Sequence, residues 1–431
     1  MKYLKTIFIS IFYLFFSCSG FKDVAATIQG KNIYLSEIYK SIDKTDFNKL
    51  NTTKKRTFIR KYAVHKILSE KPKNVLNEID LNIEYEENRL KNDLIVQEVE
   101  KYISNQFTVT DSILDFVEKA LNIDILVKAI TVPHRFSFGK ASNRSKAEAF
   151  ERAKTIYNRL SKGDVSYREA LSIYSESPPS KIKGNEMGQI NFGLMPKNFN
   201  DVVWSSPEGK LYGPLETPMG YHVIIVDLII PKKGKNIIKI DRAKLEKDLV
   251  KGKYGYKEES FSKFIESLNQ KYDVSIDDDE LYNLWDSVQS IEGVKSMSGI
   301  SITDLLKLNT NRILGKIGNE EITLDWLLRT SNNFSFYSSV AINSGFLFNK
   351  FITDVFARYL ILQWFDDNKN LFPGFELTLK QKSINKIYSL FLTKTLEHNP
   401  ELNKDIILNQ FMLNEGVVIN NELFTPELRS E

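Results

Sequence analysis

The sequence predicts an α+β protein, with one compact stretch of alternating strands and helices inserted between mainly helical segments. Three observations predict it. Residues 123–231 alternate short apolar runs with capped amphipathic stretches and turn signals. Residues 77–121 carry apolar side chains at helical spacing with a charged opposite face. A short hairpin pattern near the start returns near residue 315. A chain of 431 residues is too long for one ordinary domain and suggests two to four. With 42% apolar and 26% charged residues it has the composition of a folded soluble protein. No interior stretch is long and apolar enough to span a membrane. A formal charge of +4, with no basic stripe or RNA-binding motif, gives no argument for nucleic acid.

The first twenty residues, MKYLKTIFISIFYLFFSCSG, differ in texture from the rest. Lys2 and Lys5 precede an apolar run from Ile7 to Phe16, and small residues follow. That order reads as a secretory signal over residues 1–17. Cys18 is the single cysteine, so it has no intramolecular disulfide partner. Its place fits a lipoprotein cleavage site, where it becomes the lipidated first residue and anchors a soluble body to a membrane surface. An ordinary signal peptide with a chance cysteine is the alternative.

ATIQGKNIYLSEI (26–38) aligns without gaps on GKIGNEEITLDWL (315–327), with Ile28, Ile33, Leu35 and Ile38 on Ile317, Ile322, Leu324 and Leu327. Each copy reads as strand, turn, strand and helix start. Each is followed by an aromatic-rich amphipathic helix, FIRKYAVHKIL (58–68) or FITDVFARYLIL (351–362). A duplication is expected. Between the copies, Val109-Thr110-Asp111 restarts a helix after the long amphipathic run.

ILVKAITV opens the central stretch as a strand. Ser145 and Glu148 form a capping box for a helix to Leu160, with Gly163 past its end. Ser166 and Glu169 form a second box for a helix to Tyr174. MGQINF is a short strand, PKNFNDVVW a short helix, GPLE a strand start and YHVIIVDLI the last strand. Beyond Pro231 one polar helix is expected through AKLEKDLVKGKYGYKEESFSKFIESL. Residues 277–300 read as a linker, with Asp277–Glu280 a solvated turn. A last amphipathic helix is expected over 378–396.

The motifs in residues 184–226 carry the chemistry. Gly184-Asn185-Glu186-Met187-Gly188 is followed by Met195 and Phe199, then by Gly209 to Pro214, then by Thr217, Gly220, Tyr221 and His222. All of these spacings, without a gap, resemble the parvulin family of peptidyl-prolyl isomerases. The resemblance implies a four-stranded antiparallel sheet flanked by helices, and no cofactor. It implies that Met187, Met195 and Phe199 seat a proline ring. It places His222 on the floor of the site with Thr217 hydrogen-bonded to it, and Met219 beside the pocket. Parvulins carry a second histidine on the first strand, where Thr131 stands here. The position usually Cys or Asp is Ser177. Thr and Ser keep a hydrogen-bond network but offer no charge. His134, three residues beyond Thr131, faces the other side of an unshifted strand.

The chemistry fits a site without nucleophile or metal. Amide resonance sets a barrier of about 18–20 kcal/mol to peptide rotation, and X-Pro isomers are close in energy yet interconvert slowly. A catalyst has to hold the ring, strip water from the amide and favour the twisted state. His65 and His398 stand on helical stretches without ligand-spaced partners, so no metal is expected.

A parvulin-like region between helical segments, behind a signal peptide, is similar to the extracytoplasmic foldases related to SurA and PrsA. The opening VAATIQGKNIYLSEI also resembles their chaperone domains. The expected division is a signal peptide (1–17), a helical chaperone-like domain (18–122), a parvulin domain (123–231), a helical connector and linker (232–312) and a C-terminal chaperone-like domain (313–431). The resemblance implies an isomerase and chaperone for exported proteins with X-Pro bonds, held at the cell envelope. The alternative is a holdase whose parvulin domain binds clients with weak or no catalysis. A purely structural surface lipoprotein leaves the pocket motifs unexplained.

Overall fold

The computed structural model describes residues 23–71, 76, 78–139, 142–174, 176, 188–294 and 296–424. The expected signal peptide (residues 1–17), Cys18, Ser177 and Met187 lie outside the described residues. The chain forms two compact units, one from residues 1–91 and 370–431, the other from residues 92–369.

In the first unit the expected hairpin pairs Val24–Ile28 with Lys31–Tyr34. Its alternation buries Ala26 and Ile33 on one side. The helix Thr52–Glu70 begins at an Asn51 cap and buries Ile59, Ala63, Val64 and Ile67. It packs beside Phe375–His398, which contributes Ile384 and Ile387 to the same cores. A third strand, Val417–Ile419, adds to the hairpin antiparallel.

The larger unit holds a four-stranded antiparallel sheet. Leu211–Thr217 lies at one edge, then Gly220–Pro231, Ile123–Val132 and Gly188–Ile190. Strand alternation sorts its residues onto two faces. Ile130, Val132, Tyr221 and Val223 pack against the helices Lys146–Lys162 and Tyr167–Tyr174. Val127, Ala129, Ile224 and Val226 face the other way, toward the helices Asp111–Leu121, Lys197–Trp204 and Arg242–Val250. The helix Lys146–Lys162 starts at the Ser145–Glu148 box and stops at a left-handed Gly163, as its sequence requires. The turn joining Thr217 to Gly220 depends on the second residue. Gly220 has φ 115°, and a Cβ there would lie 2.5 Å from the Val132 carbonyl oxygen, so any side chain would push the two central strands apart.

Two expectations are corrected. The single polar helix after Pro231 is two helices, Arg242–Val250 and Tyr256–Lys271. Gly252 and Gly255 are left-handed and Tyr254 between them has φ 71°, which no continuous helix accommodates. The stretch read as a linker contains the helix Asp278–Val288, capped by Asp277, whose side chain accepts from the Glu280 N–H. Leu281, Leu284, Trp285 and Val288 form its buried stripe.

The repeat has a feature absent from the aligned segments. Ile313–Ile317 and Glu320–Thr323 form the second hairpin, and Ile322 and Leu327 are buried as Ile33 and Ile38 are in the first. Its third strand is Val274–Ile276. Val274 pairs with Ile317, and Val417 pairs with Ile28, its counterpart in the alignment. The Gly318 N–H donates to the Asp273 carbonyl at 3.1 Å, and the Gln29 N–H donates to the Gly416 carbonyl at 3.1 Å. The two three-stranded sheets therefore share one register, although one recruits its third strand from before the hairpin and the other from the far end of the chain.

Candidate active site

The register of the central strands builds the site. Thr131 on Ile123–Val132 pairs directly with His222 on Gly220–Pro231, and both point to the face that carries Ala129 and Ile224. His222 is 1% exposed. Its Nδ1 lies 3.1 Å from Thr131 Oγ1 and its Nε2 lies 2.7 Å from Thr217 Oγ1. The Met219 N–H also donates to Thr217 Oγ1, at 3.1 Å. Burial lowers the His222 pKa to about 4, so the imidazole is neutral at neutral pH. A neutral ring between two hydroxyls donates through one nitrogen and accepts through the other.

Phe199 sits edge-on to this imidazole, with ring centroids 5.8 Å apart at 86°. It is fully buried, on the helix Lys197–Trp204, and Met195 packs partly buried against the same cluster. Met219 is exposed at the turn. The structure thus brings Thr131, Thr217, His222 and Phe199 together. Among the described residues the arrangement contains no charged group. It offers an apolar wall, a buried neutral imidazole and two hydroxyls, which suits desolvating an amide and not attacking it.

His134 stays on the opposite side. The strands run unshifted from Ala129 to Val132, so His134 leaves with the face of Tyr221, whose ring lies 6.3 Å away. It does not replace the missing first-strand histidine.

Sequence reasoning missed two asparagines. Asn200 is buried and its Nδ2 donates to the Met195 carbonyl, which fixes the turn carrying Met195. Asn198 Nδ2 donates to the Glu216 carbonyl and ties the Phe199 helix to the strand of Thr217. Their signal was the odd spacing of amides around Phe199. His65, read in the sequence as lying without ligand-spaced partners, meets Glu87 and Ser383 in the first unit. His65 Nε2 lies 2.8 Å from Glu87 Oε1 and 3.2 Å from Ser383 Oγ. Both partners share one nitrogen, so this cluster ties helices and cannot relay a proton from one side of the ring to the other. Among the described residues no cluster of His, Cys, Asp or Glu could hold a metal, and no helix is long and apolar enough to cross a membrane.

Comparison with known proteins bears on the same strands. Residues 130–227 match the family described as Rotamase, the PPIC-type PPIase domain. A Chaperone SurA from Idiomarina loihiensis is 26% identical over 171 residues, 39% of this chain and 38% of that protein. A Foldase protein PrsA 4 from Bacillus cereus is 27% identical over 187 residues, 43% of this chain and 66% of that protein. The chain therefore spans less than two thirds of either relative. A solved structure of the peptidylprolyl isomerase PrsA from Bacillus anthracis is 19% identical, covering 55% of this chain and 97% of that one at a TM-score of 0.24. The family match over residues 130–227, on the strands of the four-stranded antiparallel sheet, identifies them as a PPIC-type PPIase domain of the parvulin family.

Proposed function

We propose that the protein is a peptidyl-prolyl cis-trans isomerase and folding chaperone for exported proteins. The observation that carries this reading is the neutral, buried His222 held between Thr131 and Thr217 against Phe199. In this reading Met187, Met195, Phe199 and Met219 hold the client's proline ring. Thr131, Thr217, His222 and Ser177 form the polar floor. Residues 123–231 act as the isomerase, and the segments 18–122 and 313–431 hold unfolded clients. The relatives' names, Chaperone SurA and Foldase protein PrsA, support such clients.

A second reading is favoured by one observation, the threonine at 131: the domain binds prolyl segments and catalysis is weak. Full-length protein assayed on an unphosphorylated X-Pro peptide, beside Thr131→His, separates the two. The isomerase reading expects turnover well above the uncatalysed rate in the native chain. Turnover gained only in Thr131→His would move the function to holding clients. The full chain is the right sample, because Leu245, Leu249 and Tyr256 outside residues 123–231 close the apolar face beneath the site.

The same proposal puts the protein at the cell envelope through a lipid on Cys18. Cys18→Ser should shift it from the membrane fraction to the soluble fraction. An unchanged partition would reduce residues 1–17 to an ordinary signal.

A further inference from the structure

A cleft of about 710 Å³ opens beside the candidate site. One wall is Asn198, Glu216, Thr217 and Pro218, from the same helix and turn that hold Phe199 and His222. The opposite wall comes from the second half of the larger unit, with Tyr282, Phe346, Asn349 and Thr353. The loop after the first strand is clamped between them. Phe136 stacks on Tyr282 with centroids 5.0 Å apart, Phe138 lies edge-on to Phe346 at 5.3 Å, and the Phe138 N–H donates to the Pro218 carbonyl at 2.7 Å.

Two features of the cleft point to a ligand. The first is His134, which lines it and is 8% exposed. The Phe136 N–H donates to its Nδ1 at 3.2 Å. A neutral ring whose Nδ1 accepts carries its proton on Nε2. Burial, then Lys146, lowers the pKa of this histidine, which keeps the neutral form. Its Nε2–H has no partner among the described residues. This donor is not sealed from solvent, so it is available to an acceptor placed in the cleft that His134 lines. The second feature is charge. Lys146 Nζ lies 2.8 Å from Glu216 Oε1, so that pair offsets itself. Asp278 and Glu266 also line the cleft and make no ion pair or hydrogen bond through their carboxylates among the described residues. Desolvation first, with Asp279 and Asp277, raises the Asp278 carboxyl above its ordinary value against a partial offset by Lys146. A cation placed in the cleft would relieve that carboxylate.

We infer that this cleft is a client subsite flanking the prolyl bond, where His134 Nε2–H donates to a client carbonyl and Asp278 and Glu266 select a lysine or arginine side chain. The inference rests on the isomerase reading of the His222 site. A polypeptide is the fitting occupant, because one wall of the cleft is the edge of that site. The apolar remainder, Phe136, Leu281 and Phe346, takes the stem of a long cationic side chain while its head reaches the carboxylates.

The test uses the full chain and short X-Pro peptides differing only in a flanking Lys, Ala or Glu. Binding is measured by fluorescence anisotropy and turnover by exchange NMR. The Lys peptide should bind about fivefold to tenfold tighter than the Glu peptide, in line with two partly exposed charge contacts. That preference should shrink with added salt. Asp278→Asn with Glu266→Gln should bring the ratio close to one, and Glu266→Lys should reverse it. Equal binding of all peptides by the native chain overturns the inference, as does a preference that survives the double variant. A preference without turnover upholds the cleft while sinking the isomerase reading. Turnover without preference does the reverse.

Discussion

Phe199→Ala is expected to reduce prolyl isomerisation to the uncatalysed rate. Phe199 is fully buried, and its edge meets the His222 ring. On the proposed isomerase reading, truncation removes the wall that keeps water from the amide, and water restores the charge-separated resonance form that stiffens the bond. It also empties a core position, at a cost of about 3–5 kcal/mol. Lost turnover could therefore reflect lost folding. Phe199→Leu separates the two, since keeping most of the volume typically costs less than about 1.5 kcal/mol. A folded Leu variant should retain measurable turnover with a weaker apparent affinity for the peptide. Denaturation curves recorded beside the assay show whether each variant is folded. If a folded Phe199→Ala protein turns over like the native chain, Phe199 is core and not pocket.

The second large effect is expected in acid. The His222 pKa falls from its ordinary 6.5 to about 4 in the folded protein, because burial disfavours the imidazolium. Between those values the unfolded chain binds a proton that the folded chain refuses, so stability drops as pH falls from 6.5 toward 4. The slope is about 1.4 kcal/mol per pH unit, and the whole loss is about 3 kcal/mol. Above pH 6.5 this group contributes no pH dependence. His134 is lowered as well, with the same sign. Comparison with His222→Asn isolates the His222 part: urea unfolding at pH 7 and pH 5 should show a smaller loss in the variant. Equal losses in both proteins would mean that the ring is not buried neutral. The same neutrality predicts a flat pH profile of kcat/KM from about pH 5 to 8, as far as His222 is concerned.

Much of the site was legible because its residues are set by local rules. The capping boxes at Ser145 and Ser166, the alternation that places Thr131 and His222 on one face, and the parity that sends His134 to the other all follow from helix and strand periodicity. The polar network around His222 was less legible. That Thr131 takes one ring nitrogen and Thr217 the other depends on three strands in register, and register is a property of the sheet. Asn200 could be read only as polar, and what it holds, the Met195 carbonyl, became visible with the turn itself. The helix break at Tyr254 was missed because the flanking residues are good helix formers. Two left-handed glycines outweigh that propensity.

By itself the sequence determined the α+β class, the parvulin motifs and the two hairpins, since each lies within a short span whose pattern is its own evidence. Tertiary structure alone decided which distant segments complete those pieces. Val417–Ile419 returns to Val24–Ile28, and Val274–Ile276 pairs with Ile313–Ile317. Three-residue strands of this kind carry too little pattern to announce a partner, and their pairing is settled by the exposed hairpin edge they satisfy. Tertiary structure likewise set Asp278, Glu266 and His134 around one cleft. His134 is far in the chain from the two carboxylates, and its loop is held to their half of the unit by the packing of Phe136 and Phe138 on Tyr282 and Phe346. A sequence records those aromatics as apolar residues without recording which of them will touch.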